Sequence, residues 1–228
     1  MRRILASRPS SGPISGPLRF ARRRLLLAVG VAAPVLALAS TLVATAAYPG
    51  FDHSRQYLSE LGGASAKLPL IFNAGVFAAG VMTALAGVGF GLAIAALTRA
   101  RVVAGLTAAV FLLAGYGLAQ AAIYPWPDPR HLAINLGLGI QLAPLLLLWG
   151  VWPRGDLKGL KLFLAAVFVA MAVLTVLTKH LVFPSLVNDF NVGWWERAYA
   201  IILVGWVGVA AFVLERCLRR EGPASKTA

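Results

Sequence analysis

Residues 101–128 read RVVAGLTAAVFLLAGYGLAQAAIYPWPD, with no charged side chain between Arg101 and Asp128. Such a run is long enough to cross roughly 30 Å of hydrocarbon as a helix, which needs about 20 residues. Its apolar residues are continuous rather than alternating, which selects a helix over a lipid-facing barrel strand. Backbone polar groups in lipid must be satisfied internally, and a helix does this within one segment.

The same reading extends outward in both directions. Charge-free stretches also separate Arg24 from Asp52, Lys67 from Arg99, Arg130 from Arg154, Lys161 from Lys179, and Arg197 from Glu215. These place six spans at 25–47, 70–97, 102–123, 132–152, 160–179 and 197–215. The expected fold is all-α, a polytopic transmembrane bundle of six helices over 25–216, flanked by a disordered basic tail at 1–24 and a short tail at 217–228. Pro34 and Pro144 are expected to kink the first and fourth spans. In the second, Gly75, Ala79, Gly80, Gly87 and Gly91 form a small-residue surface for close helix approach. Arg22–Arg24, an apolar run and Ala44-Thr45-Ala46 mimic a cleaved leader. The run exceeds the 7–15 residues of an ordinary leader core, so the first helix is read as retained.

Composition agrees. Hydrophobic residues make up 59% of the 228 and charged residues 13%, about half the share a soluble domain carries. Mean hydropathy is +0.79. Cys217 is the single cysteine, which excludes an intrachain disulfide. The net charge of +13 is a topology signal rather than a nucleic-acid footprint. Alternate sides of the six spans hold sixteen and five Lys/Arg, so the richer side is expected to be cytoplasmic with both termini. The arginine-rich tail is expected to lie on anionic lipid. The Ala, Gly and Arg bias fits a bacterial plasma-membrane protein.

The other side carries five Lys/Arg, five acids (Asp52, Glu60, Asp128, Asp189, Glu196) and all three histidines. Tyr48-Pro49-x-x-Asp52 is followed by His53, and Tyr124-Pro125-x-x-Asp128 by His131. His180-x-x-Phe183-Pro184 ends the fifth span. With Leu61-Gly62 matching Leu136-Gly137, this reads as a repeat of three helix hairpins. In the first outer loop, Ser54, Tyr57, Leu58 and Leu61 fall on one helical stripe and His53, Gln56 and Glu60 on another. A short helix ending at Gly62-Gly63 and lying in the interface is expected.

Gln56-Tyr57-Leu58-Ser59-Glu60-Leu61-Gly62, Asn73, Tyr124-Pro125-x-x-Asp128-x-x-His131 and Gly193-Trp194-Trp195-Glu196-Arg197 together resemble a bacterial and archaeal family of six-span membrane proteins, domain of unknown function 998. The likeness covers about residues 28–215. It implies a fold and a membrane address but no reaction.

Four classes of function meet these residues. His53, His131 and His180 with nearby carboxylates offer metal ligands, but without the close spacing that fixes two ligands on one face. His53, Glu60, Asp128, His131, Glu196 and Arg197 are the candidate site for acid–base or headgroup chemistry. Here Glu60 or His131 would supply the acid–base pair, and Arg197 would bind an anionic headgroup. Against that, Glu196 and Lys179 also suit the dipoles of the helix ends they occupy. Gln120, Asn135 and Gln141, with Asn73 near the outer end, would line a path in a small-solute transporter. No ionisable residue sits mid-span to couple it to ions. Trp126, Trp194 and Trp195 fit a headgroup belt, or a partner surface in an assembly protein. No motif requires a cofactor, nucleic acid is not an expected partner, and no oligomeric state follows.

Overall fold

The computed structural model describes residues 15–132, 137–178 and 183–221. Six helices follow in chain order: α1 Ser15–Ala46, α2 Pro69–Leu97, α3 Arg101–Ile123, α4 Gly137–Gly150, α5 Lys158–Thr178 and α6 Val192–Arg220. Five of them, all but α4, are long and apolar enough to cross a membrane. Among the described residues there are no strands. The all-helical, six-helix reading therefore holds. The start of the fourth span falls at 133–136, outside the described residues, and α4 has 14 residues within them.

Two helices are longer than their apolar runs. α1 begins at Ser15 rather than 25, so Arg19, Arg22, Arg23 and Arg24 lie on a helix and not in a tail. α6 runs from Val192 to Arg220 and carries Glu196, Arg197, Glu215 and Arg219 in its end turns. Charge marks where hydrocarbon stops. The helix goes on into the interface because its backbone bonds are as good there.

Consecutive helices are neighbours, α6 returns to α1, and α2 also touches α6. The centre is a ring cluster from three helices. Phe90 and Phe111 lie 5.0 Å apart between centroids, and Trp206 stacks on Phe90 at 6.5 Å. Leu27, Ala86, Leu147, Leu164, Met171 and Leu214 are buried around it. The small residues of α2 do what their spacing promised. Gly87 faces the side chain of Phe111, and Gly80 and Gly115 each lie against the other's carbonyl, so α2 and α3 meet backbone to backbone. Gly75 leaves room for Ser40 of α1. The turn from α2 to α3 is tight enough to hold Arg99 at φ 60°, in the left-handed region that glycine occupies at least cost.

The expected interfacial helix of the first outer loop is shorter than the stripe pattern indicated. Only Leu58–Gly62 is helical, as a 3₁₀ turn, with Leu61 and Gly62 buried. Upstream, Asp52 takes the amides of Ser54 and Arg55 on its carboxylate and ends the regular structure. Local side-chain bonding of this kind competes with helix.

Candidate functional site

The first outer loop is bolted onto the start of α6. Gly193 donates its amide to Ser54 O at 2.7 Å. One turn later, Glu196 Oε2 accepts the Leu58 amide at 2.6 Å. Arg197 Nη1 donates to Gln56 O at 3.0 Å and to Gly193 O at 2.7 Å. Glycine at 193 is what permits the fit. A Cβ there would stand 2.6 Å from His53 O and 2.8 Å from Gln56 O, both backbone atoms.

Within the loop, Glu60 is fully engaged. Its Oε1 accepts the Tyr57 amide at 2.8 Å, and its Oε2 accepts Gln56 Nε2 at 2.9 Å. Gln56 Oε1 in turn accepts the Asp52 amide at 2.7 Å. The Ser54 hydroxyl and amide hold the Asp52 carboxyl below its ordinary pKa. Tyr57 shows the opposite effect: burial, then the carboxylates of Glu196, Asp189 and Glu60, raise its phenol. Asn73 of α2 donates to Gly62 O at 3.0 Å and closes the loop's far end.

Of the six candidate residues, Glu60, Glu196 and Arg197 come together. Arg197 makes no ion pair with either acid among the described residues, although both bear on it electrostatically. Its Nη1 is saturated by two carbonyls, and its guanidinium lies 5.2 Å from the Phe51 ring centroid. Its Nη2 is buried with no hydrogen-bond partner among the described residues. In a low-dielectric setting an unmet donor of this sort costs about 1–3 kcal/mol, more when charged.

The other three make no hydrogen bond or ion pair with that guanidinium among the described residues. His53 is exposed and stacks on Trp194 at 5.9 Å. Asp128 belongs to the third outer loop, where it pairs with Arg130 at 2.7 Å; that bonding holds its carboxyl down to about 2. Arg130 lies over the Tyr124 ring at 4.0 Å. His131 Nδ1 lies 2.8 Å from Tyr124 O and 3.0 Å from Ala121 O, so it must carry the proton and cap the end of α3. The two loops meet where Gly63 packs on Trp126, a Cβ at 63 lying 2.9 Å from Trp126 O. His180 lies outside the described residues, as does Asn135. Among the described residues no group of three His, Cys, Asp or Glu side chains is placed to hold a metal ion.

The polar residues proposed for a transmembrane path are separately occupied. Gln120 donates to Arg130 O at 3.0 Å, its Oε1 buried without a partner among the described residues, whereas Gln141 donates to Thr175 of α5. A small cavity of about 30 Å³, room for one water, lies beside Thr83, Phe111, Leu118 and Trp206.

Sequence reasoning missed the organisation of the opposite face. Glu215 Oε1 accepts Arg24 Nε of α1 at 2.7 Å and Arg219 Nε at 2.6 Å. Arg154 pairs with Asp156 at 2.8 Å and with Glu221. Glu215 and Arg219 are four apart on one helix, a spacing that signals the second half of this triad. Nothing in the sequence signals Arg24.

The family model for "Protein of unknown function (DUF998)" matches residues 31–213, most of the chain and every outer-loop element above. The chain belongs to this family. The match runs from the middle of α1 to the last third of α6, so the family's shared segment is the bundle with the loop–α6 clamp inside it. No curated protein and no solved structure matches the chain.

Proposed function

We propose that the protein is a multi-pass protein of the bacterial plasma membrane, both termini cytoplasmic, that binds the anionic group of a lipid headgroup or small ligand on its outer face through Arg197. The observation that carries this reading is the buried, unpartnered Nη2 of a guanidinium already fixed by two backbone carbonyls. A donor held rigidly before its acceptor arrives loses little entropy on binding. Arginine is also the residue best matched to phosphate or carboxylate oxygens. The sixteen-to-five division of Lys/Arg supports the orientation.

The reading is of binding rather than catalysis. Both oxygens of Glu60 and the Nδ1 of His131 are committed to holding loops in place. Transport is the weaker alternative, since Gln120 and Gln141 are bonded to different neighbours. The test is native mass spectrometry of the purified protein with a total bacterial lipid extract, comparing wild type with Arg197→Gln. An anionic adduct on the wild type that is lost from a folded variant is the expected result. Identical adducts on both would overturn it. Thiol labelling of single cysteines at Ser65 and Ser225 (introduced into a Cys217→Ala background) checks the orientation, with only the first expected to label from outside.

A further inference from the structure

The opposite face carries a second feature, and its chemistry is independent of Arg197. A groove of about 460 Å³ runs between α1 and α6, lined by Ala21, Arg24, Leu25, Ala28, Val31, Phe212, Glu215 and Arg219. Its volume is within the range of sites that hold small molecules, about 300–1,000 Å³. Two properties single it out. The floor is apolar, opened by Ala21 and Ala28, which stand two turns apart on the same side of α1. The mouth is cationic. One oxygen, Glu215 Oε1, accepts the Nε of both Arg24 and Arg219. The terminal nitrogens of both guanidinium groups make no hydrogen bond among the described residues. Arg216, outside the lining, packs 4.3 Å over the ring of Phe212, which forms part of the groove wall.

Glu215 is nearly buried, at 8% exposure. A carboxylate there serves to aim two arginines, because it uses one nitrogen from each and leaves both terminal pairs directed elsewhere. Two guanidinium groups about one carboxylate leave a net positive mouth above a hydrocarbon-like trough. That combination complements a molecule with an anionic head and an apolar tail.

We propose that the α1–α6 groove is a binding site for one anionic phospholipid, its phosphate held between Arg24 and Arg219 and an acyl chain lying along Ala21, Leu25 and Ala28. A free phosphate would use the arginines and ignore the floor; a lipid needs both.

The experiment uses full-length protein in nanodiscs of equal parts dioleoyl-phosphatidylglycerol and dioleoyl-phosphatidylcholine, with native mass spectrometry counting the lipids that stay bound on release. Wild type is expected to retain phosphatidylglycerol preferentially. Arg24→Gln/Arg219→Gln is expected to lower that preference by about twenty-fivefold, taking roughly fivefold for each basic residue lost at an anionic surface. Ala28→Trp fills the floor and leaves the arginines in place; it is expected to abolish retention as well. If the double variant fails to fold, Ala28→Trp decides the matter alone. No preference in wild type, or an unchanged preference in Ala28→Trp, overturns the site. In the latter case, loss in the arginine variant would assign the selectivity to general surface charge, or to a phosphate site without the groove. Each protein is measured in an Arg197→Gln background, which removes any anionic lipid held on the outer face, so failure here and failure of the outer-face reading are separate results.

Discussion

Gly193→Ala is the most direct test of the clamp between the first outer loop and α6. The added methyl would stand 2.6 Å from His53 O, 2.8 Å from Gln56 O and 2.8 Å from Arg197 Nη1. The arginine can swing away; the two carbonyls cannot, because they belong to the loop backbone. The loop must therefore lift. Lifting stretches three bonds: Gly193 N to Ser54 O, Leu58 N to Glu196, and Arg197 to Gln56 O. A neutral bond contributes about 0.5–1.5 kcal/mol and a charge-assisted one about 1.5–3 kcal/mol. Overpacking a tight contact costs about 1–3 kcal/mol. Partial loss of the set gives an expected cost of about 2–4 kcal/mol in local stability. Amide hydrogen exchange at Leu58 reads this directly, and the expected acceleration is about thirtyfold to a thousandfold. Gly205→Ala is the matched control. It lies on the same helix with nothing within 4 Å of its would-be Cβ, so it should stabilise by about 0.5–1 kcal/mol, the helix-propensity gain. A Gly193→Ala protein whose Leu58 amide exchanges within about threefold of wild type, a difference of roughly 0.7 kcal/mol, would refute the clamp.

Further outcomes follow from other contacts. Glu196→Gln keeps an acceptor for the Leu58 amide and should retain most of its protection, whereas Glu196→Ala should lose about 1–3 kcal/mol by the same exchange measurement. Equal effects would mean that charge, not the bond, holds the loop. Gly115→Ala pushes a methyl at the Gly80 carbonyl and Ala84 and should destabilise detergent-solubilised protein by about 1–3 kcal/mol in thermal unfolding, while Gly105→Ala, facing open space, should not. Arg99→Gly relieves a left-handed residue and should stabilise by about 1 kcal/mol. Asp128, lowered from 3.8 to about 2 by Arg130, contributes to loop stability above its ordinary value and loses that contribution as pH falls toward 2. A carboxyl titration by NMR should place its midpoint near 2 in wild type, and a midpoint at 3.8 would show that the Arg130 pair is absent in solution.

Much of the bundle was legible because lipid imposes a simple rule on sequence. Runs without charge located α2 and α3 to within a residue of their observed bounds, and α5 to within two. The start of α1 and both ends of α6 were not legible, since Arg24, Arg197 and Glu215 mark the edge of hydrocarbon and not the edge of hydrogen bonding. The outer cluster was half legible. Its side chains, Glu60, Glu196 and Arg197, stood out as the scarce charges of one face. Apart from the Gln56 side chain, which shares a stripe with Glu60, their partners are the backbone groups of Gln56, Tyr57, Leu58 and Gly193, which no side-chain pattern reveals. The role of His131 was hidden for the same reason: it spends its Nδ1 on the carbonyls of Ala121 and Tyr124, a capping role that leaves no sequence spacing behind.

The return of α6 to α1 also bears on how the protein is made. A chain emerging from the ribosome inserts α1 first, and α1 then waits for its second neighbour until the last helix is synthesised. During that interval Gly30 lacks the Ala211 methyl that packs on it, and Arg24 lacks Glu215. The loop after α1 likewise has no Gly193, Glu196 or Arg197 to fasten it. Closure is thus a terminal event of biogenesis. A single late helix sets the α1–α6 seam and the loop after α1 together, so a chain stalled before Val192 would leave both ends of the bundle unfinished.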